Sequence, residues 1–265
     1  SRGTLRAIRS LGIYEEVYNG TDEKYELGFT NNGFIEHFDP RGSYIYGIPY
    51  EYYKDLKIRK YGFHGTSHKF VAKEAAKELK KDLKSLKIIT CHLGNGCSIT
   101  AVKNGKSIDT SLGFTPLEGL LMGTRSGDID PAIILYLMKK RHMSPKSMDE
   151  LLNKKSGLLG VSGISNDMRD ILKAVKANKP RAKLALDIFL YRIKKYIGAY
   201  AASMDGLDAV VLTAGIGENV PLIKTKIAKD LRRFFYSLKA KVLVIPTDEE
   251  LEIAQETAQV LTKRK

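Results

Sequence analysis

Four short segments of the chain combine glycine with residues that can hold a charged group. They are YGFHGTSH at 61–68, HLGNG at 92–96, GTRSGD at 123–128 and TAGIGEN at 213–219. Glycine lets the backbone approach a ligand because it lacks a Cβ and reaches positive φ at little cost. Successive backbone N–H groups in such turns form a concavity that suits an anion. With His64 and Arg125 as side-chain donors, these segments predict a site for a phosphorylated ligand.

Arg125 and His64 are the side chains whose chemistry suits phosphoryl transfer, which depends on positioning and charge neutralisation. Arg125 offers a planar, permanently charged fork for phosphate oxygens. A structural salt bridge with Asp128 or Asp130 is the alternative for this arginine. His64 can donate a hydrogen bond to developing charge, although a histidine in such a turn can also be a packed residue. For His68 a structural role is favoured.

The composition is that of a folded protein with a basic surface. Its 265 residues are 43% hydrophobic, and 44 Lys and Arg against 30 Asp and Glu give a net charge of +14. The lysines are spread along helix-like segments, which favours a solvated surface over a nucleic-acid site. No apolar run approaches membrane-spanning length and no secretory signal is found. Cys91 and Cys97 are expected to be free thiols, with a disulfide as the alternative. We therefore predict a cytoplasmic protein with no nucleic-acid and no membrane partner.

The elements that must position these segments alternate between strands and helices. Strands are predicted at 87–91, 97–102, 107–110, 209–212 and 242–245. Asn104 and Gly105 predict a type I′ turn between the second and third strands. A further strand, followed by a turn or short helix, is expected within 44–53. This alternation predicts an α/β layer architecture.

Helix boundaries are indicated by proline and by capping residues. Helices are predicted over 131–140, from Pro145, after Pro180 and over 221–231. Thr66 or Ser67 is expected to cap the helix after His64. Thr247 and Glu250 are expected to form a capping box for the last helix, and residues 153–165 are expected to be a loop.

In this order the motifs resemble those of the acetate kinase (acetokinase) family, within the sugar kinase, heat-shock ATPase and actin superfamily. The resemblance also rests on NKKSGLLGVSG at 153–163, DMRD at 167–170 and VLVIPTDEEL at 242–251. It implies a ribonuclease-H-like (actin-like ATPase) domain with a mixed sheet flanked by helices. It further implies reversible, ATP-dependent phosphorylation of acetate to acetyl phosphate, with Mg²⁺ and as a homodimer.

The resemblance also implies a role for individual residues. His64, Arg125 and Asp39 would be catalytic, and Glu249 would be associated with the metal ion. For Glu249, an acidic first helical turn favoured by the helix dipole is an equal alternative. The residues implied in nucleotide binding are His92, Leu93, Gly94, Asn95, Gly96, Asp167, Met168, Arg169, Gly215, Ile216, Gly217, Glu218 and Asn219.

The family's opening phosphate loop and its acid-binding arginine have no counterpart in this sequence, so a reduced first domain is expected. The predicted organisation is a first-domain remnant or linker at 1–43, a nucleotide-binding domain at 44–246 and a C-terminal helix at 247–265. Two alternatives stay open. One is a propionate or butyrate kinase, and the other is a nucleotide-binding fragment without catalysis.

Overall fold

The computed structural model describes residues 43–263, and a five-stranded mixed sheet forms the centre of this part of the chain. Its strands are β1 (Lys87–Leu93), β2 (Cys97–Lys103), β3 (Lys106–Thr110), β4 (Ala209–Thr213) and β5 (Lys241–Val244). They lie in the order β3-β2-β1-β4-β5. β1, β2 and β3 pair antiparallel, whereas β4 and β5 run parallel to β1. The carboxyl ends of β1, β4 and β5 therefore share one edge of the sheet.

The strands form where the sequence predicts them, because β1, β2 and β4 are nearly continuous runs of buried residues. Such runs are typical of strands covered on both faces. The turn between β2 and β3 has Asn104 at φ 55° and Gly105 at φ 76°. Both central residues thus have the positive φ that a type I′ hairpin requires, and the predicted hairpin is confirmed.

Eleven α-helices surround the sheet in the described part of the chain. They are α1 (Tyr50–Leu56), α2 (Gly65–Leu79), α3 (Pro131–Arg141), α4 (Pro145–Lys154), α5 (Gly157–Ser162), α6 (Met168–Lys176), α7 (Pro180–Met204), α8 (Ala214–Asn219), α9 (Pro221–Asp230), α10 (Arg232–Leu238) and α11 (Glu249–Lys263). A 3₁₀ turn spans Leu83–Ser85. Four of the helices begin at a proline, as predicted, since proline lacks the N–H that a first helical residue leaves unbonded.

The two faces of the sheet are covered by different helices. On one face the long helix α7 buries Phe189, Ile193 and Ile197 in the larger cluster of core residues. On the other face α2 contributes Val71 and Ala75 to a second cluster. The result is the helix–sheet–helix layering that the sequence predicts, and the glycine turns lie at the edge of this packed sheet.

Near the amino end of the described residues, the predicted strand and the predicted helix cap are wrong, whereas the short helix expected after the strand is present as α1. Residues 44–49 form bends rather than a strand, and α1 follows them. The helix after the YGFHGTSH segment begins at Gly65, and His64 precedes it in the left-handed region at φ 62°. Thr66 and Ser67 therefore lie inside the first turn. Ser67 instead bonds to His92 across the interface with β1.

Residues 153–165 contain the short helix α5, where a loop was predicted. Leu158 N donates to the carbonyl oxygen of Met122 at 2.8 Å, and Leu159 N donates to that of Gly123 at 3.0 Å. The carbonyl groups of another turn thus accept the unpaired N–H groups at the start of the helix. Gly157 is required there, since its φ is +65° and an added Cβ would lie 2.3 Å from the carbonyl oxygen of Met122.

The predicted capping box before the last helix is also wrong. Asp248 Oδ1 accepts a hydrogen bond from Leu251 N at 2.9 Å and so serves as the cap. Thr247 N donates to Glu218 at 3.1 Å. Thr247 is therefore held by a long-range contact with α8, the helix that follows β4, which a local pattern does not reveal.

Candidate active site

The glycine turn at 94–96 lies at the centre of the shared carboxyl edge. Gly94 N donates to Gly96 O at 3.1 Å and closes the turn between β1 and β2. A Cβ placed on Gly94 would lie 3.9 Å from His92 Nε2 and 4.0 Å from Ala214 Cβ. The turn is thus adjacent to the end of β4. Ligands of open α/β sheets bind in a crevice outside such strand ends.

Asn95 joins this turn to two other segments of the predicted site. Its backbone oxygen accepts from Gly123 N at 2.9 Å, and its Oδ1 accepts from Asn166 Nδ2 at 2.9 Å. A Cβ on Gly123 would lie 2.0 Å from Asn95 Oδ1. The GTRSGD segment can approach the turn this closely only because position 123 is glycine.

Arg125 and His64 meet over the same turn. A Cβ built on Gly96 would lie 3.3 Å from Arg125 Nη1 and 3.8 Å from His64 Nε2. Two donor side chains that are 61 positions apart in the chain thus converge on one small region of backbone. With Ala214 beside Gly94, the structure brings together all four of the segments proposed from the sequence.

The salt bridge considered for Arg125 is not formed. Asp128 Oδ2 instead accepts from Tyr196 at 2.9 Å and pairs with Arg192 at 3.3 Å. Asp130 caps α3 by accepting from Ala132 N. Among the described residues, no hydrogen bond or ion pair engages the guanidinium of Arg125. It is available for an anion beside Gly96.

His64 is held as a neutral ring against His92. The two rings stack with their centroids 4.1 Å apart, and His64 Nδ1 is joined to Ser98 Oγ at 2.9 Å. Burial, followed by the nearby His92 and Arg125, lowers the pKa of His64 to about 3. His64 can therefore donate or accept a hydrogen bond near neutral pH without carrying a charge.

Two further histidines lie behind His64. Burial lowers the pKa of His92 to about 4, and its Nδ1 is joined to Ser67 Oγ at 2.9 Å. His68 is fully buried between Thr90 and Ser98, and this burial lowers its pKa well below the ordinary value. The favoured structural role of His68 agrees with this position.

Sequence reasoning missed the hydroxyl groups that hold these rings, which belong to Ser67, Thr90 and Ser98. All three are fully buried. The only sequence signal is that Thr90 and Ser98 interrupt runs of buried apolar residues in β1 and β2. A buried hydroxyl needs a hydrogen-bond partner, but the sequence does not say that the partner is histidine.

Two of the predicted nucleotide-binding residues have side chains in the core. Leu93 is fully buried, and Met168 is 2% exposed. Both belong to the larger core cluster. Their side chains are therefore not accessible to a ligand.

The TAGIGEN segment forms α8, directly after β4, where a glycine-rich turn was predicted. Gly215 is exposed, and a Cβ added there would meet no atom within 4 Å. Gly217 is buried, and Ile216 packs against the core. Asn219 Nδ2 donates back to Gly215 O. The exposed side of this helix is where a ligand can approach.

Glu218 has a clear structural task. Its Oε1 accepts from Ala214 N at 2.7 Å, from Thr213 Oγ1 at 3.1 Å and from Thr247 N at 3.1 Å. The carboxylate thus ties the end of β4 to the segment that follows β5. Contact with a nucleotide would have to use the other oxygen.

The DMRD segment begins α6. Asp167 caps this helix by accepting from Arg169 N at 2.8 Å and forms an ion pair with the Arg169 side chain at 2.5 Å. Hydrogen bonds from Arg169 lower the pKa of Asp167 to about 2. The neighbouring Asn166 contacts Asn95, which places this segment beside the glycine turn.

Glu249 is exposed in the first turn of α11, next to Glu250 and near the buried Glu252. Within 43–263, no cluster of three or more histidine, cysteine or acidic side chains is placed to hold a metal ion. Both proposed roles of Glu249, as a metal-associated residue and as an acidic residue that favours the start of a helix, stay predictions. Asp39 lies outside the described residues.

Two predictions from composition can be compared with the described residues. Cys91 and Cys97 are buried free thiols, as expected. None of the described helices is both long and apolar enough to cross a membrane.

The sheet order and the layers place the chain in the ribonuclease-H-like, actin-like ATPase class of α/β domains. Residues 30–240 match the acetokinase family, and the chain belongs to that family. It is 56% identical over 245 residues to an acetate kinase of Caldicellulosiruptor saccharolyticus, an alignment that covers 84% of this chain and 61% of the relative. The chain thus spans about three fifths of the length of the curated relatives it matches.

Solved structures of the same family agree with the fold. The acetate kinase of Porphyromonas gingivalis superimposes with a TM-score of 0.80 at 44% identity, covering 84% of this chain and 61% of that one. A propionate kinase from Francisella tularensis superimposes with a TM-score of 0.74 at 45% identity, covering 80% and 59%. The resemblance inferred from the motifs is confirmed.

Proposed function

We propose that this chain belongs to a kinase that reversibly transfers the γ-phosphoryl group of ATP to acetate, forming acetyl phosphate and ADP. The observation that carries the proposal is the pairing of an unengaged Arg125 with a neutral His64 over Gly96. The similarity to acetate kinases supports the choice of reaction.

The chemistry of the reaction explains what such a pair would contribute. A carboxylate oxygen attacks the γ-phosphorus while the bond to the β–γ bridging oxygen breaks, and ADP leaves with the electron pair. The carboxylate is already ionised at neutral pH, so the attack needs no general base. The guanidinium of Arg125 would neutralise charge on the transferring group, and His64 would add a hydrogen bond. Asp39 stays a proposed catalytic residue.

The nucleotide would lie along the carboxyl edge of the sheet. The supporting features are the backbone of the turn at 92–96, the exposed Gly215 of α8 and the DMRD segment linked to Asn95. Because Leu93 and Met168 have core side chains, their proposed contacts are through the backbone.

Magnesium is part of the proposal. Mg²⁺ is commonly held by one or two carboxylates together with substrate phosphates rather than by a full protein cage. A single exposed Glu249 fits this pattern, and the lack of an acidic cluster among the described residues does not conflict with it. When bound, the ion would neutralise phosphate charge, and Glu249 would hold it.

The proposed homodimer has a candidate surface on α3. No residue of this helix is buried, and Leu135 and Tyr136 are 70% and 62% exposed. Large apolar side chains grouped on an exposed helix are typical of an interface. A cytoplasmic location is part of the same proposal, supported by the free thiols Cys91 and Cys97.

The substrate test is acetyl phosphate formation from acetate and ATP, with propionate and butyrate as competing acids. The highest kcat/KM is expected with acetate. A preference for propionate would favour a propionate kinase, to which the 45% identity with the Francisella protein points. ATP binding without turnover on any acid would favour the catalytically incomplete fragment.

The site test is Arg125→Ala. We expect kcat to fall by about 10³-fold or more, with little change in the affinity for ATP. Arg125→Lys should restore only part of the rate, since lysine lacks the planar fork. The control is Arg233→Ala, at an exposed arginine of α10. If Arg125→Ala lost ATP affinity in proportion to rate, the assigned role would be wrong.

A further inference from the structure

A chain of buried hydrogen bonds leads from the interior of the sheet to His64. Thr90 Oγ1 is 2.7 Å from His68 Nδ1, and His68 Nε2 is 2.6 Å from Ser98 Oγ. Ser98 Oγ is in turn 2.9 Å from His64 Nδ1. Thr90, His68 and Ser98 are each 0% exposed. We call these four side chains the histidine relay.

The protons of the relay can be arranged in only two ways. Neutral His64 and His68 each carry one ring N–H, and Ser98 carries one hydroxyl proton. Each of the three hydrogen bonds needs one of the available protons. If His68 donates to Ser98, then Ser98 donates to His64 Nδ1, because two rings donating to Ser98 would leave its buried hydroxyl proton without an acceptor. If Ser98 donates to His68, then His64 Nδ1 must donate to Ser98. The two directions leave opposite tautomers at His64.

Thr90 decides between the two directions. In the part of the chain that the structure describes, the Thr90 hydroxyl makes one hydrogen bond, to His68. If His68 donated to Thr90, the Thr90 proton would be buried with no acceptor, which is unfavourable. Thr90 therefore donates to His68 Nδ1, and the remaining bonds follow in the same direction.

The same argument applies to the ring stacked on His64. Ser67 is fully buried, and its hydroxyl makes one hydrogen bond among the described residues, to His92 Nδ1. Ser67 therefore donates, and the proton of His92 is on Nε2. Both stacked rings then turn a protonated Nε2 toward the glycine turn, where Gly96 and Gly94 lie.

We infer that Thr90, His68 and Ser98 act as positioning residues that hold His64 in its Nε2–H tautomer, so that it presents a hydrogen-bond donor beside Arg125. A bare Nε2 would turn a lone pair toward the oxygens of an anion at this place. The consequence for phosphoryl transfer rests on the proposed function, whereas the tautomer itself does not.

The experiment is nitrogen NMR of the chain labelled with ¹⁵N-histidine, at neutral pH and without substrate. The chemical shift of each ring nitrogen tells whether it carries a proton. The signals of His64 are assigned by their loss in His64→Asn, in which asparagine tolerates the left-handed backbone. We expect His64 Nε2 protonated and Nδ1 unprotonated. The opposite tautomer would overturn the inference.

The relay is tested by Thr90→Val, which keeps the shape and removes the deciding hydroxyl. Thr90 then no longer donates to His68 Nδ1, so the preference between the two directions weakens and the share of the Nε2–H tautomer at His64 should fall below that of the wild type. Thr90→Ser keeps the hydroxyl and should restore the wild-type share. An unchanged tautomer in Thr90→Val would show that the relay does not set it.

The same variants separate this inference from the proposed function. In an active chain, Thr90→Val should lower kcat in proportion to the lost share of the Nε2–H tautomer, with an unchanged KM for ATP, because fewer molecules present the donor. A chain with the expected tautomers but no kinase activity would leave the inference standing and count against the function. A tautomer change with an unchanged kcat in an active chain would show that the donor does not assist transfer.

Discussion

The three histidines beside the glycine turn should make the folded chain sensitive to acid. Their pKa is ordinarily about 6.5, and burial lowers that of His64 to about 3 and that of His92 to about 4. Burial also lowers the pKa of His68 well below its ordinary value. Below about pH 6.5, the histidines therefore bind protons in the unfolded chain but stay neutral in the folded chain. The stability contributed by the neutral rings is complete above pH 6.5 and is lost as the pH falls toward the pKa values of the folded state.

The size of the effect follows from these pKa values. When the pH falls from 8 to 5, the free energy of unfolding should decrease by about 2 kcal/mol for each buried histidine. His64→Asn removes one of the three groups, so its unfolding free energy should fall by about 2 kcal/mol less than that of the wild type over the same interval. The remaining acid-induced loss comes from His68, His92 and the carboxylates, which the two proteins share.

The assay is urea denaturation of both proteins at several pH values from 8 to 5. The quantity of interest is the difference between the two free energies of unfolding, so a constant loss caused by the substitution itself does not matter. The control is His142→Asn, at an exposed position after α3, which should leave the acid-side slope unchanged. A difference between wild type and His64→Asn that is the same at pH 8 and pH 5 would refute the reasoning.

Three further predictions concern the residues that hold the site. Gly123→Ala places a Cβ 2.0 Å from Asn95 Oδ1 and should cost about 1–3 kcal/mol in urea denaturation. The matched control is Gly198→Ala, in open space within α7, which should instead stabilise the fold by about 0.5–1 kcal/mol. Equal changes in the free energy of unfolding for the two variants would contradict the close approach at Gly123. Burial raises the pKa of Cys97 to about 12 and that of Cys91 further, so both thiols should react with a disulfide reagent far more slowly in the native chain than in urea. Equal rates would show that they are accessible. Glu218→Ala removes an acceptor of three hydrogen bonds and should lower the free energy of unfolding by about 2–3 kcal/mol. Glu218→Gln keeps an acceptor oxygen and should lower it by less. A larger loss in Glu218→Gln would show that Glu218 does not connect the end of β4 to the segment after β5.

The sequence by itself determined the sheet, the main helices and the family. The nearly continuous apolar runs of β1 and β4 predicted strands because a strand covered on both faces is apolar on both faces. Asn104 and Gly105 determined the hairpin because both accept positive φ. The prolines that begin α7 and α9 marked the helix starts for a similarly local reason. The glycine-rich segments, whose backbone requirements are also local, identified the region of the site.

Only the tertiary structure decided how these segments act together. α5 exists because carbonyl groups of the turn at 122–123 accept its first N–H groups. Arg125 is free for an anion because Asp128 pairs with Tyr196 and Arg192 of α7, a choice that depends on packing 64 or more positions away. The tautomer inferred for His64 depends on Ser98, which lies 34 positions along the chain. A sequence shows which side chains can bond, but which of them do is set by distances that exist only after the sheet and its two helical layers have packed.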